Sequence, residues 1–176
     1  MINDFEFEGA DLIFNKALEI SRQISAFKAR ARSAGIPTVY ANDNFGKWQS
    51  DFRKLLKHCL EDNVRGRPIA ELLRPHEDDY FVLKPKHSAF YSTSLEVLLT
   101  YLGARTLIFT GIATNNCVLF SAADAYMRDL RVIVPSDCVA ANSSTDNEQA
   151  LQLMRKVLKA DTRTSKGIDF TELISE

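Results

Sequence analysis

Cysteine is scarce in this chain, three among 176 residues. Cys59, Cys117 and Cys138 are widely spaced, odd in number and outside any CxxC pattern, which argues against both a disulfide framework and a zinc knuckle. A reducing cytoplasm is the simplest reading. Long apolar runs are also missing, and stretches such as Thr106 to Ile112 fall far short of the ~20 residues that cross a bilayer. The first residues, Met-Ile-Asn-Asp-Phe-Glu-Phe-Glu, have neither the basic start nor the apolar stretch of a secretory signal. Neither sign of charge is in surplus. A net charge of -1 gives no electrostatic reason to expect nucleic acid or an anionic membrane as partner. With no repeat, low-complexity tract or Gly/Ser-rich linker, residues 1–176 are expected to form a single domain.

What is present is an alternation of short β-branched runs with longer stretches of helical spacing. Residues 10–33 carry Ile13, Ala17, Ile20, Ile24, Phe27 and Ala31 on one face, together with Leu12 and Leu18. Gly35 follows where a C-terminal cap is expected, and Pro37 blocks continuation. Thr38 to Ala41 reads as a strand ending in the turn Asn42-Asp43-Asn44, and Tyr80 to Leu83 as a second strand. Residues 51–62 between them read as helix, with a short turn of helix at Ile69 to Leu73. Thr93 with Glu96, and Thr145 with Glu148, have capping-box spacing, which predicts one helix over 93–103 and a last helix from 145 onward. Thr106 to Ile112 is a fully apolar strand, the pattern of a strand covered on both faces. A helix from about Asn115 to Asp129 and a strand from Arg131 follow. The fold class is α/β, a three-layer αβα arrangement around a mostly parallel sheet.

Such sheets bind ligands beyond the carboxyl ends of their strands. The rim segments are Asn42 to Asn44, Lys84 to Lys86, Gly111 to Cys117, and Ser136-Asp137. Cys117 follows an apolar strand at the start of a helix, where unpaired N–H groups and the helix dipole favour thiolate and can hold an oxyanion. Position alone leaves a buried packing cysteine open as well. Lys84 ends a strand, is held extended by Pro85, and points toward the same rim, where its ammonium would stabilise a thiolate. A solvated surface lysine is the competing reading and suits Lys86 better. His87 allows a Cys–His pair but has no recognisable partner, while His58 and His76 lie in charged stretches. The Asn42-Asp43-Asn44-Phe45 turn has one carboxylate and no neighbouring imidazole or thiolate, so no metal is expected.

Asn3-Asp4-Phe5, Val39-Tyr-Ala-Asn-Asp43, Lys84-Pro-Lys-His-Ser-Ala-Phe90 and Gly111-Ile-Ala-Thr-Asn-Asn-Cys117-Val, with Ala122, Asp124 and Ala125 behind, together resemble the isochorismatase-like hydrolases. That family includes nicotinamidases, N-carbamoylsarcosine amidases and isochorismatases. The resemblance implies a six-stranded parallel sheet and an Asp–Lys–Cys triad, in which Cys117 is the nucleophile and Lys84 the lysine. It also implies an oxyanion hole from the amides of Ala113 and Cys117, with a cis peptide at Ile112–Ala113, and no cofactor. Asn44, Trp48, His87, Phe90 and Tyr91 are candidates for lining the substrate pocket. The partner is a small molecule, and a homo-oligomer, dimer or tetramer, is expected.

Two departures bear on function. Metal-dependent nicotinamidases carry histidine two residues after the position of Asp43, where this chain has Phe45, so metal dependence and nicotinamide as substrate are not expected. The family's N-terminal signature is an apolar strand, an aspartate, two residues and then Asn-Asp-Phe. Here Asn3-Asp4-Phe5 follows Met1 directly, so the triad aspartate falls just ahead of Met1. The expectation is a chain extending upstream, with residues 1–176 alone lacking the first central strand and impaired in activity. The resulting reading is a cysteine hydrolase acting on a small amide through an acyl-enzyme. The alternatives are a non-catalytic ligand-binding or oligomeric member, and an isochorismatase-type vinyl ether hydrolase.

Overall fold

Alternation along the strands decides the layering. In a strand, successive side chains point to opposite faces, so an apolar run with helices on both sides feeds two cores at once. That is the arrangement in the computed structural model, which describes residues 1–44 and 51–174. Tyr40, Leu83, Ile108 and Ile133 pack into one apolar cluster, while Val39, Val82, Leu107 and Val132 pack into another. The first cluster is covered by α1 (Asp11–Ser33), α2 (Phe52–Glu61) and α3 (Arg67–Leu72). The second is covered by α4 (Leu95–Tyr101), α5 (Leu119–Tyr126) and α6 (Ser144–Val157). Each fully buried Ile or Phe contributes about 1.5–3 kcal/mol by leaving water. The protein is α/β with helices on both faces of parallel strands.

All ladders among the described residues are parallel. β1 (Val39–Asp43) pairs with β2 (Tyr80–Lys84), β3 (Thr106–Ile108) with β5 (Arg131–Ile133), and β4 (Gly111–Ile112) with β6 (Val139–Ala140). A cleft of about 1350 Å³ runs between the β1 and β3 sides, lined by Val39, Ala41, Leu107 and Phe109 along its length. At the carboxyl ends of the strands it reaches Asp43, Lys84 and Cys117.

α1 buries the predicted face except at its start, where Leu12 is exposed. It ends where Gly35 takes φ +76 and Ile36 N–H bonds back to Ala31 O at 3.0 Å. The apolar run 106–112 is two strands rather than one. Phe109 N–H bonds Ile133 O, Gly111 N–H bonds Cys138 O, and Gly111 turns at φ +110 between the two ladders. The helix expected from Asn115 begins as a π-helical turn, Thr114–Val118, before α5.

Both capping boxes are realised differently. α4 starts at Leu95, one residue later than the Thr93 cap predicts, and Thr93 Oγ1 accepts from Leu95 N–H while Glu96 bonds the Arg128 guanidinium. A cation outside the helix outcompetes the backbone amide for that carboxylate. At α6 the cap is Ser143, whose Oγ accepts from Asp146 N–H at 3.0 Å. The cap lies two residues earlier than Thr145 suggests, and Asp146 Oδ2 accepts from the Ser143 hydroxyl at 2.6 Å. A short α7 (Phe170–Ile174) packs its Phe170 ring against Phe27 of α1, 5.1 Å between centroids.

The N-terminal segment is held tightly. Ile2 and Phe5 are fully buried, and Phe5 packs edge-on against Phe14 of α1. Asn42 Nδ2 donates to Ile2 O at 2.9 Å, and Gly66 N–H to Asp4 O at 2.8 Å. Only glycine fits at residue 66, because a Cβ there would lie 1.8 Å from Asn3 O.

Candidate active site

Register brings the first two functional groups together. Asp43 and Lys84 are the last residues of β1 and β2 and are partners in the ladder, so both side chains leave the sheet at the same rim. Lys84 is buried, with 4% of its side chain exposed, whereas 43% of the Asp43 side chain is exposed. A buried ammonium is costly unless its protons are bonded and its charge is paired. All three Lys84 donors find partners: Asp43 Oδ1 at 2.5 Å, Lys86 O at 3.1 Å and Cys117 Sγ at 3.4 Å.

Cys117 sits in the π-helical turn that follows β4, after a cis peptide at Ile112–Ala113. Its Sγ is within 3.9 Å of His87 Nδ1, and the His87 ring stacks on Phe120, one turn beyond Cys117, with centroids 5.7 Å apart. The turn is anchored beneath. Thr114 is fully buried and its Oγ1 donates to Asn147 Oδ1 on α6, while Ser121 Oγ donates to Cys117 O at 2.7 Å. Ala113 and Cys117 line the cleft beside Asn115 and Asn116.

The other two thiols are different in kind. Cys59 and Cys138 are wholly buried, and burial pushes their thiols up to about 11 and about 12. Cys117 is half-buried and alone among the three faces the cleft. The Met1 amino group also lies at this end of the cleft, donating to Asn42 Oδ1 at 3.4 Å.

Of the residues singled out from sequence, Lys84, Cys117 and His87 come together. Asn44 is buried, and its N–H continues the ladder to Lys84 O at 3.1 Å. Phe90 instead belongs to the apolar core, with the Arg128 guanidinium 4.7 Å above its ring. Tyr91 is exposed. Trp48 and Phe45 lie outside the described residues. In the sequence Asp43 stands as an isolated carboxylate unsuited to a metal, and its pairing with Lys84 follows from register. The signal was that Val39 to Asp43 and Tyr80 to Lys84 are equal-length runs each ending in a charge. Among the described residues no cluster of three or more His, Cys, Asp or Glu side chains could hold a metal ion, and no helix is long and apolar enough to cross a membrane.

Comparison with known proteins places this geometry in context. Residues 1–165 match the isochorismatase domain family. The chain is 45% identical over 168 residues to YaaI of Bacillus subtilis, an uncharacterized isochorismatase family protein, covering 96% of this chain and 92% of that one. It is 30% identical over 154 residues to the maleamate amidohydrolase of Pseudomonas putida, covering 81% and 70% respectively. Among solved structures it resembles the N-carbamoylsarcosine amidase of Thermoplasma acidophilum, with a TM-score of 0.71, 27% identity, and coverage of 88% and 87%.

Proposed function

The chain belongs to the isochorismatase family of hydrolases, and we propose that it is a cysteine amidohydrolase with Cys117 as nucleophile, cleaving the C–N bond of a small amide. One observation carries this reading: the buried Lys84 ammonium lies 3.4 Å from the cleft-facing Cys117 sulfur. A cation at that distance favours thiolate over thiol. The thiolate attacks the amide carbonyl, and the backbone amides of Ala113 and Cys117 hold the oxyanion. The amine leaves with a proton, and water then releases the acid from the acyl-enzyme. His87, stacked on Phe120 with its Nδ1 3.9 Å from Sγ, is placed to touch a substrate held at the sulfur.

The names of its relatives, maleamate amidohydrolase and N-carbamoylsarcosine amidase, support a small amide that also bears a carboxylate. The exposed Lys86 and His87 beside the site suit such an anion. A dimer or tetramer belongs to the same reading, supported by Val97 and Tyr101, 73% and 77% exposed one turn apart on α4. Three unpaired thiols fit a reducing, cytoplasmic setting.

The test is ammonia release from a panel containing maleamate and N-carbamoyl amino acids, with Cys117→Ala alongside. Turnover by the wild type that vanishes in the variant is the expected result. Ligand-dependent melting shifts with no ammonia from any amide would assign the protein to ligand binding instead.

A further inference from the structure

We propose that Ser121 is a positioning residue of this site, its hydroxyl bridging the loop after β2 to the nucleophile's own carbonyl and so fixing the separation of Lys84 and Cys117. This rests on the amidohydrolase reading for Cys117 as nucleophile, and deepens it by naming what keeps the sulfur and the ammonium together. Ser121 belongs to α5 and is 4% exposed. Its Oγ accepts from Ala89 N–H at 2.9 Å and donates to Cys117 O at 2.7 Å. A hydroxyl carries one proton, and here that proton is committed to Cys117. A serine bonding the carbonyl four residues back is by itself an ordinary habit of helices. The amide on its other side sets Ser121 apart, because it comes from a different part of the chain. Ala89 is 3% exposed, on the loop that follows Lys84, and its N–H depends on a partner inside the protein.

A closed circuit results. The chain runs from Lys84 to Ala89, crosses through the Ser121 hydroxyl to Cys117, and returns from Sγ to Lys84 Nζ across 3.4 Å. Thiol sulfur is a weak hydrogen-bond acceptor, so the contact that matters chemically is a poor tether for the two segments that make it. The oxygen-mediated link supplies a firmer joint beside it. Loss of the hydroxyl would strand the buried Ala89 N–H. The loop would then have to shift to give that amide another partner, carrying Lys84 with it. A displacement of about 1 Å away from the chemistry can cost on the order of 100-fold in rate.

The adjoining serine provides the comparison. Ser88, also buried, donates from Oγ to Asp124 Oδ2 on α5 and accepts from Phe90 N–H at 3.1 Å. It joins the same loop to the same helix, but through Asp124 rather than through Cys117. Ser88 fastens loop to helix, and Ser121 fastens loop to nucleophile.

The experiment sets Ser121→Ala, Ser121→Val and Ser121→Thr beside wild type, with Ser88→Ala as comparator. Valine and threonine share one branched shape, so that pair differs in the hydroxyl alone, and Ser121 lines the cleft, which leaves room for the added methyl. Each protein is measured for the rate of iodoacetamide addition to Cys117 at pH 8, and for kcat and KM on whichever amide the wild type hydrolyses. Ser121→Ala and Ser121→Val are expected to lower kcat about 10–100-fold with KM changed by less than about threefold, and to slow alkylation about tenfold. Ser121→Thr is expected to bring both rates back to within about threefold of wild type. Ser88→Ala is expected to lower Tm and leave both rates within about threefold of wild type. Equal rates in Ser121→Val and Ser121→Thr would overturn the assignment, because the hydroxyl would then be dispensable. So would equal slowing in Ser88→Ala, which would make docking of the loop the cause rather than the bridge to Cys117. Should Ser121→Ala fail to fold, the threonine and valine variants decide. A wild type that hydrolyses no amide would overturn the amidohydrolase reading itself, and the alkylation rates would still decide the role of Ser121.

Discussion

Lys84 and Cys117, 33 residues apart in sequence, place an ammonium nitrogen and a sulfur 3.4 Å from each other at one end of the cleft. Neither side chain's own helix or strand produces that contact. It arises because β2 ends at Lys84 while the turn after β4 carries Cys117 to the same rim. Everything chemical in the site depends on the pair remaining together.

Selective alkylation follows from the contrast among the three thiols. At pH 8, iodoacetamide is expected to add one label, at Cys117, because Cys59 and Cys138 are inaccessible and their thiols are pushed up to about 11 and about 12. Intact-mass spectrometry counts the labels, and Cys117→Ser is expected to take none. Replacing the ammonium in Lys84→Met should slow labelling about tenfold, because the sulfur loses a hydrogen bond from a charged donor. Equal rates in the two proteins would remove Lys84 from the activation of Cys117.

The residues that carry this chemistry were legible in the sequence, and their mutual arrangement only partly so. Helical spacing located α1, and short apolar runs ending in polar residues located the rims of β1, β2 and β4. The break in the run 106–112 was hidden, since every residue of it is compatible with a strand and only the ladder partners Ile133 and Cys138 show where it divides. Glu96 reads as a capping residue until the fold brings Arg128 to it. Phe90 reads as a pocket residue because it neighbours Lys84 and His87, yet the bend that follows β2 carries it into the core. Asp43 needed the register of two strands some forty residues apart, which no local pattern encodes.

Asp79→Ala is expected to destabilise the fold by about 3–5 kcal/mol, the cost of stranding one member of a buried ion pair. Asp79 is 3% exposed and pairs with Lys28 of α1, itself 11% exposed. The same ammonium donates to Tyr40 Oη at 2.8 Å, and Tyr40 donates to Leu73 O at 2.7 Å. Burial, with the Asp79 charge second, holds the Tyr40 phenol above its ordinary value, so it cannot ionise to take over the pairing. Urea denaturation of the two proteins at pH 7 measures the difference. A loss below 1 kcal/mol would mean that Lys28 turns out to water instead.

His58 gives stability a modest pH dependence. Its side chain bonds Asp62 and lies 3.5 Å from Asp4, and these carboxylates raise its pKa above the ordinary 6.5. A raised value means that the folded state favours the proton. The contribution is complete below about 6.5 and is lost as pH rises through the raised value. Because the ring is 43% exposed, solvent screening limits the effect to a few tenths of a kcal/mol. The stability difference between wild type and His58→Asn should therefore be larger at pH 5.5 than at pH 9, in paired urea titrations. A difference that grows with pH would contradict the pairing.

Gly66→Ala tests whether the N-terminal segment supports the site from a distance. A Cβ at residue 66 would meet Asn3 O at 1.8 Å and the carbonyl carbons of Asn3 and Asp4 at 2.9 and 3.0 Å, all of them backbone. No rotamer change relieves such a contact, so the segment must lift away and break the Gly66 N–H bond to Asp4 O. Ile2 O would then draw off Asn42 Nδ2, beside Asp43 on β1. The expected cost is about 3 kcal/mol, the upper range for overpacking, together with a changed rate of Cys117 alkylation. Gly35→Ala is the control, since its φ of +76 is strained but nothing lies within 4 Å. It should cost only about 1–2 kcal/mol and leave the alkylation rate alone. If Gly66→Ala lowers Tm while the Cys117 rate stays unchanged, the segment stabilises the fold without shaping the active site.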